Sequence, residues 1–447
     1  MRQPISSTST RTGASQSDVR RMCRSSCALA LLLLILAPTR GLAGSISKDE
    51  ETGSATGDEI GILQLITAAE SDYFRAQGRY ATFEELIQSG QIQRTSTHSS
   101  DYSRALQSLQ LQTDSQPVAG FTLNLLVSSS GSRFHLSLTL REGKCGVGWF
   151  TDEAGVLYQG KAVNCAEHMT APLLKSWPPA NVDAGVPPVQ NDGLCPLPQI
   201  LHEASERASE LVGNLQRFTA TEQIEHTEFG KNGKHRGSTS ELFSYVAEME
   251  ENPSGEFWVN EYRTAESQSQ SDPPRLVENA TAASGLIFHP KMIGDFEIHC
   301  EGQTDLQGMP AWQLRFEERP NPSKSFSEFL INGTEHPVRL KGRAWISADN
   351  YQVLRLQRDL VAPVPEINLQ FEHSDISYAP VEFANHRISL WLPKIVSMDI
   401  GYRGHHYQRV HSFSHFQVFL VDTEERVKEP APAAPNSGLT SDSNPLP

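Results

Sequence analysis

The chain has 447 residues, enough for two domains of ordinary size, with 38 basic and 53 acidic side chains and a formal charge of −15 at pH 7. The first 43 residues hold six Arg against one Asp, which leaves 32 basic and 52 acidic groups beyond them, a balance of −20. Such a surface repels phosphate backbones and argues against a nucleic-acid partner.

Residues 1–43 read as a secretory signal. Ten apolar residues, Ala28 to Ala37, follow Arg20, Arg21 and Arg24 and precede the small-residue site Gly41-Leu42-Ala43. Ten residues span only ~15 Å as a helix, too short for a retained anchor, and no later stretch is long enough to cross a membrane. Cys23 and Cys27 leave with the signal. Cys145, Cys165, Cys195 and Cys300 remain, an even set in an exported chain without CxxC spacing, so disulfides are favoured over redox or zinc chemistry. Local pairing of Cys145 with Cys165 across a hairpin, and of Cys195 with Cys300, is the expected arrangement, although four cysteines allow three pairings.

Residues 44–58 read as a flexible leader. Ile62, Ile66, Ala69 and Tyr73 then repeat at helical spacing, Gly78 ends that helix, and Thr82-Phe-Glu-Glu85 is a capping box opening a short second helix. The polar stretch from Gln91 to Asp101 reads as a connection. Strands are expected at Phe121 to Val127 and Phe134 to Leu140, then a hairpin from Gly146 to Tyr158 that turns at Asp152 to Gly155.

The helix with Tyr73, the segment Gly78 to Leu86 and the segment Phe150 to Gly155 resemble the soluble part of type IV pilins and pseudopilins. The resemblance implies a small pilin-like domain, a helix plus an antiparallel sheet, over residues 59–170. It departs from that family where the processing site before a long hydrophobic helix would stand. A pilin-like head used as a soluble module, with an envelope protein as its partner, is what the resemblance implies.

Residues 171–193 contain Pro172, Pro178, Pro179, Pro187 and Pro188 and read as an extended linker. A helix opens near Pro198, with Leu201, Ala204, Ala208, Leu211 and Leu215 as its apolar stripe. Strand after strand follows: Phe218 to Phe229, Leu242 to Met249, Gly255 to Arg263, Phe296 to Cys300 and Ala311 to Phe316. A meander then runs from Val338 to Val421. Within it, Arg343 to Ile346 and Tyr351 to Leu356 make a hairpin with Trp345 on one face and Leu354 and Leu356 sharing a face. Further strands are expected at Ile367 to Ile376, Val381 to Leu392, Met398 to Tyr407 and Phe413 to Val421. Residues 428–447 are Pro-rich and are expected to be disordered.

A leading helix, then Gly342-Arg-Ala-Trp345-Ile-Ser with Gln352-Val-Leu-Arg355-Leu and the strands up to Val421, is similar to the LolA-like half-barrel of periplasmic lipoprotein carriers and envelope-stress sensors. The fold class expected is therefore α+β, with a larger curved antiparallel β half-barrel and its leading helix in residues 194–427. The resemblance implies a lipid or a lipidated protein as ligand, in the periplasm or outside the cell, and brings no catalytic residues with it.

No GxSxG, P-loop or helix-opening GxGxxG occurs, and neither an enzyme nor a cofactor is expected. His405, Tyr407, Arg409, His411, Phe413 and His415 would share a strand face, but His411 to His415 would span ~13 Å, too far for one ion, so cross-strand pairing is the better reading and no metal is expected. His202-Glu203 with Glu206 lacks the second His of a zinc-protease helix. The ligand residues expected are Trp258, Trp312, Trp345, Leu354, Phe371 and Trp391, rings and side chains that either fill a core or line a cavity between sheet and helix. The function expected is a non-catalytic envelope protein whose half-barrel binds an apolar ligand; the alternative is a structural module of a surface or pilus-like assembly. The mature chain should begin near Gly44, which N-terminal sequencing of exported protein checks; recovery of Met1 would refute it.

Overall fold

The computed structural model describes residues 58–111, 117–141, 144–165, 181–190, 195–215, 218–230, 233–251, 257–266, 276–278, 282–322, 325–331, 334–384 and 387–419. The signal, most of the leader, the C-terminal tail and residues 171–180 and 191–193 of the expected linker lie outside them.

Helix α1 (Asp58–Gln77) buries Ile62, Ile66 and Ala69, the face its spacing dictates. Thr82 caps α2 (Phe83–Gln88) in a complete capping box with Glu85, whose carboxylate also pairs with Arg79. The stretch read as a polar connection forms α3 (Gln91–Ser96) and α4 (Ser100–Ser108) instead. Ile92 and Ala105 are buried there, and Ser99 accepts from the Tyr102 N–H as an N-cap, so a few apolar anchors and one cap outweigh the polar composition. Strands β1 (Phe121–Val127), β2 (Phe134–Leu140), β3 (Val147–Asp152) and β4 (Tyr158–Lys161) form one antiparallel sheet in that order. Leu123, Leu136, Leu138 and Trp149 share a core with α1. The Cys145–Cys165 disulfide ties the base of the β3–β4 hairpin.

Beyond it, α5 (Leu197–Leu215) precedes ten strands of one open, curved antiparallel sheet. In spatial order these are β7 (Phe257–Ala265), β6 (His235–Glu251), β5 (Phe218–Phe229), β17 (His405–Val418), β16 (Ile388–Tyr402), β15 (Leu369–Phe383), β14 (Val353–Leu360), β13 (Leu340–Ser347), β10 (Met309–Glu318) and β9 (Phe296–Leu306). A small sheet of β8 (Leu276–Glu278), β11 (Ser327–Ile331) and β12 (Thr334–Val338) completes the strands, with β11 in the middle. Ile200, Ala204 and Ala208 of α5, together with the 3₁₀ helix Ala282–Phe288, pack on one face of the large sheet against Leu314, Phe316, Ala344, Leu356, Ile376 and Phe413. The Cys195–Cys300 disulfide joins the start of α5 to β9.

The meander holds three long strands after β14 where four shorter ones are expected. The expected strand Val381 to Leu392 contains a turn, where Arg387 takes a positive φ. The expected strand Met398 to Tyr407 turns at Arg403-Gly404, both with positive φ. Leu354 and Leu356 do not share a surrounding. A register shift between Trp345 and Ile346 adds a residue, so Leu354 joins Trp345 in one cluster while Leu356 enters the main core. A second shift, between Ser414 and Gln417, takes His415 away from the Tyr407–His411 row and sets it beside Thr139 and Lys144 of the first module.

That first module lies against the large sheet. Asn124 donates to the Ser244 hydroxyl, Val163 bridges to Phe416, and Phe150 stacks on Phe419 at 5.7 Å. A Cβ on Gly148 would sit 2.9 Å from Gln417 Oε1, and one on Gly160 2.9 Å from the Phe419 ring, so glycine permits the approach. The contact is rich in Thr, Ser and Asn and encloses His135, whose Nε2 finds no hydrogen-bond partner among the described residues. Burial pushes the His135 pKa down to about 3. The folded form therefore rejects a proton that the unfolded chain accepts, and stability falls as pH drops from 6.5 towards 3, by about 2 kcal/mol at pH 5 from this residue. Glu70 acts in the opposite sense: burial raises its pKa from 4.5 to about 7, so its contribution declines as pH rises through that window. His135→Leu should flatten the loss between pH 7 and pH 5 in urea titrations, and an unchanged slope would contradict the assignment.

Candidate functional site

On the helix face the sheet is mainly apolar, but three strands carry charge into it. Glu222 on β5 accepts from Arg263 on β7 at 2.6 and 3.1 Å and from His411 Nδ1 on β17 at 2.7 Å. Arg263 also donates to Glu261 at 2.9 Å, and Glu261 in turn accepts the Ala283 N–H of the 3₁₀ helix at 3.0 Å. Burial alone would push the Glu222 pKa up; Arg263 and His411 outweigh it and hold the carboxyl at about 2. A second buried group joins Arg358, 3.9 Å from Glu372, with the Ser374 hydroxyl donating to the same carboxylate.

Between α5, the 3₁₀ helix and these strands lies an apolar cavity of about 30 Å³, lined among others by Leu211, Phe218, Tyr245, Ala247, Gly285 and Tyr378. Burial raises the pKa of both tyrosines, so they stay neutral, and Tyr378 uses its hydroxyl to accept the Gly285 N–H at 2.8 Å. The roof over this cavity is pinned to its surroundings by side-chain hydrogen bonds: to Glu261, to Tyr378, and from Ser205 to the Phe288 carbonyl at 2.9 Å. Leu286, Ile287 and Phe288 of the roof are themselves buried.

The residues expected to line a ligand cavity do not converge there. Trp345, Leu354 and Trp391 form a cluster with Leu306 and Ala311. Trp345 is fully buried, donates to Gln313 Oε1 at 3.0 Å, and carries the Arg355 guanidinium 5.0 Å above its ring. Register places it on the face opposite the main core, because its cross-strand partners Gln313 and Arg355 alternate with Leu314 and Leu356. Val186, from the chain between the two modules, closes that cluster. Trp312 packs at the edge of the main core, and the Trp258 side chain lies outside the described residues. Phe371 covers Gly401 and sits 5.9 Å from His406. Sequence reasoning missed the cavity lining itself, since Ala247, Gly285 and Tyr378 carry no periodic signal that separates a hollow from a filled core.

Phe371 stands beside two buried acid–histidine pairs. His373 Nδ1 donates to Asp359 at 2.7 Å and His406 Nε2 to Asp399 at 2.8 Å. Nothing among the described residues bonds to His373 Nε2, so no hydroxyl or thiol is activated there. Among the described residues no group of three or more metal-ligating side chains gathers, and no helix is long and apolar enough to cross a membrane.

No family model and no curated protein matches the chain. Among solved structures it is similar to a DUF1329 family protein from Desulfovibrio piger (10% identity, 51% of this chain and 95% of that one, TM-score 0.30). It is also similar to a LolA superfamily protein from Nitrosomonas europaea (10%, 49% and 94%, 0.27) and to a domain from Vibrio parahaemolyticus described as a putative outer membrane lipoprotein-sorting protein (12%, 50% and 94%, 0.26). At these scores the likeness carries no functional argument, which has to come from this chain's own geometry.

The Arg263 network gives a direct test of the helix face. Arg263→Met strands two buried carboxylates and should destabilise by about 3–5 kcal/mol, whereas Glu222→Gln leaves Arg263 with Glu261 and should cost less. The Glu222 contribution should be complete above pH 4.5 and disappear as pH falls towards 2, because its folded pKa is lowered. Denaturant melts at pH 7 and pH 3 check both, and equal costs for the two variants at pH 7 would contradict the geometry.

Proposed function

We propose that this is an exported, non-catalytic envelope protein that holds an apolar ligand, the acyl chain of a lipid or of a lipidated protein, between α5 and the helix face of the curved sheet. The observation that carries the reading is the apolar cavity under the roof at 282–288. At about 30 Å³ it is an order of magnitude below the ~300 Å³ at which small-molecule sites begin, so the proposal requires the roof to open before a ligand enters. Opening exchanges Leu286, Ile287 and Phe288 for the ligand. Each methylene of an acyl chain buried in their place would gain ~0.8 kcal/mol, which offsets the loss of the roof's own burial. The roof lies outside any strand ladder, so opening it breaks the side-chain hydrogen bonds to Glu261, Tyr378 and Ser205 and uncovers Leu286, Ile287 and Phe288 while the sheet stays paired.

The rival reading, a structural or interaction module, is favoured by the close packing of the helix face and by Phe74, an exposed ring tilted against Tyr80 at 4.6 Å on the first module. There a pilin-like head would dock an envelope partner.

Titration of the mature chain with a fluorescent long-chain fatty acid should saturate with low-micromolar affinity. Ala247→Leu, which extends into the cavity, should weaken it at least tenfold without altering the far-UV spectrum. A folded chain that takes up no long-chain probe sinks the carrier reading and leaves the interaction module.

A further inference from the structure

On the opposite side of the sheet from the acyl cavity, residues of β13, β14 and β15 border a second, larger hollow of about 320 Å³. This is within the size range of small-molecule sites, ~300–1,000 Å³. One wall is apolar, from Leu360 to Pro363 together with the Phe371 ring, and the remaining wall is polar, with Asn181, Lys341, Asp359, Gln370 and His373.

The charges narrow the ligand. Lys341 shares the lining with Asp359 and Glu372, so the balance is negative and a free anion is disfavoured. A cation finds no open carboxylate at Asp359, since one oxygen accepts from His373 at 2.7 Å and the other accepts the Val182 N–H at 3.1 Å. What remains is a set of neutral and mixed hydrogen-bonding groups: the amide of Gln370, which both donates and accepts, the amide of Asn181, whose Oδ1 already accepts the Asp183 N–H at 2.9 Å, and the Lys341 ammonium. His373 backs this wall from within, its side chain only 3% exposed and its Nδ1 committed to Asp359. An aromatic ring beside such a set suits a ligand that is apolar on its C–H face and hydroxylated at its rim.

We propose that this hollow binds a neutral polyhydroxylated ligand, one or two sugar residues of a glycan. The proposal is independent of the acyl site, from which the sheet separates it.

Maltose, cellobiose and N,N′-diacetylchitobiose, titrated into the mature chain by calorimetry and saturation-transfer NMR, supply the test, with a pull-down on insoluble peptidoglycan to separate a polymer-borne sugar from a free one. At least one probe should bind saturably. Gln370→Ala and Lys341→Ala should each weaken it at least fivefold with an unchanged melting temperature and unchanged fatty-acid uptake. Phe371→Leu should weaken it too, but Phe371 also packs on Gly401, so the exposed Gln370 carries the decisive variant. No saturable binding in either format, binding indifferent to Gln370→Ala and Lys341→Ala, or displacement of the sugar by inorganic phosphate would overturn the proposal.

Discussion

Everything in the larger module depends on one long-range pairing, that of β5 with β17. Phe218 lies opposite Val418 and Phe229 opposite His406, so the first strand after α5 is held by the last strand of the meander, 200 positions away at its far end. Without that ladder the sheet would fall into two unjoined pieces, β5 to β7 on one side and β9, β10 and β13 to β17 on the other. Because α5 runs directly into β5, the same pairing lays the helix across the sheet and creates the enclosed apolar face. It also presents the end of β17 to the first module, where Val163 bridges to Phe416. Closing a loop of this size before any contact rewards it makes folding slow relative to a helical protein of equal length.

The buried polar network sits on this seam. Glu222, His411 and Arg263 come from β5, β17 and β7, and their bonds cross the pairing that the fold cannot do without. Well-packed apolar side chains often match a buried ion network in stability, so this one is better understood as fixing register than as adding stability. A one-residue slip of β17 would move His411 to the other face and leave Glu222 buried with one partner fewer.

Much of the architecture was legible in the sequence because alternation and turn chemistry are local. The strands at Phe121 to Val127, Phe134 to Leu140 and Phe218 to Phe229 and the Thr82 capping box follow from short-range pattern, and the even cysteine count pointed to disulfides; the expected pairs Cys145–Cys165 and Cys195–Cys300 are the ones present, although the count alone allows three pairings. What failed to read out has a common cause: single residues that change face or direction. The extra residue by Trp345, the irregularity at His415 and the positive φ of Arg387 and Arg403 each break a period-2 count without leaving a glycine or proline at the decisive position, Gly404 excepted. The faces of the aromatic rings were lost with that count, so Trp345, expected against the helix, lies on the opposite side. Cavities were not legible at all, since filling depends on the sum of side chains brought together from strands far apart in the chain.

The central claim is that the 3₁₀ roof at 282–288 is a replaceable plug over an acyl site. Hydrogen–deuterium exchange of the mature chain, with and without a saturating long-chain fatty acid, tests it most directly. The account predicts that amides of residues 282–293 exchange faster than those of β13 to β16 in the free protein, and that ligand changes protection in the roof and α5 while leaving those strands as they were. A roof that exchanges as slowly as the strands, and does not respond to ligand, would contradict it.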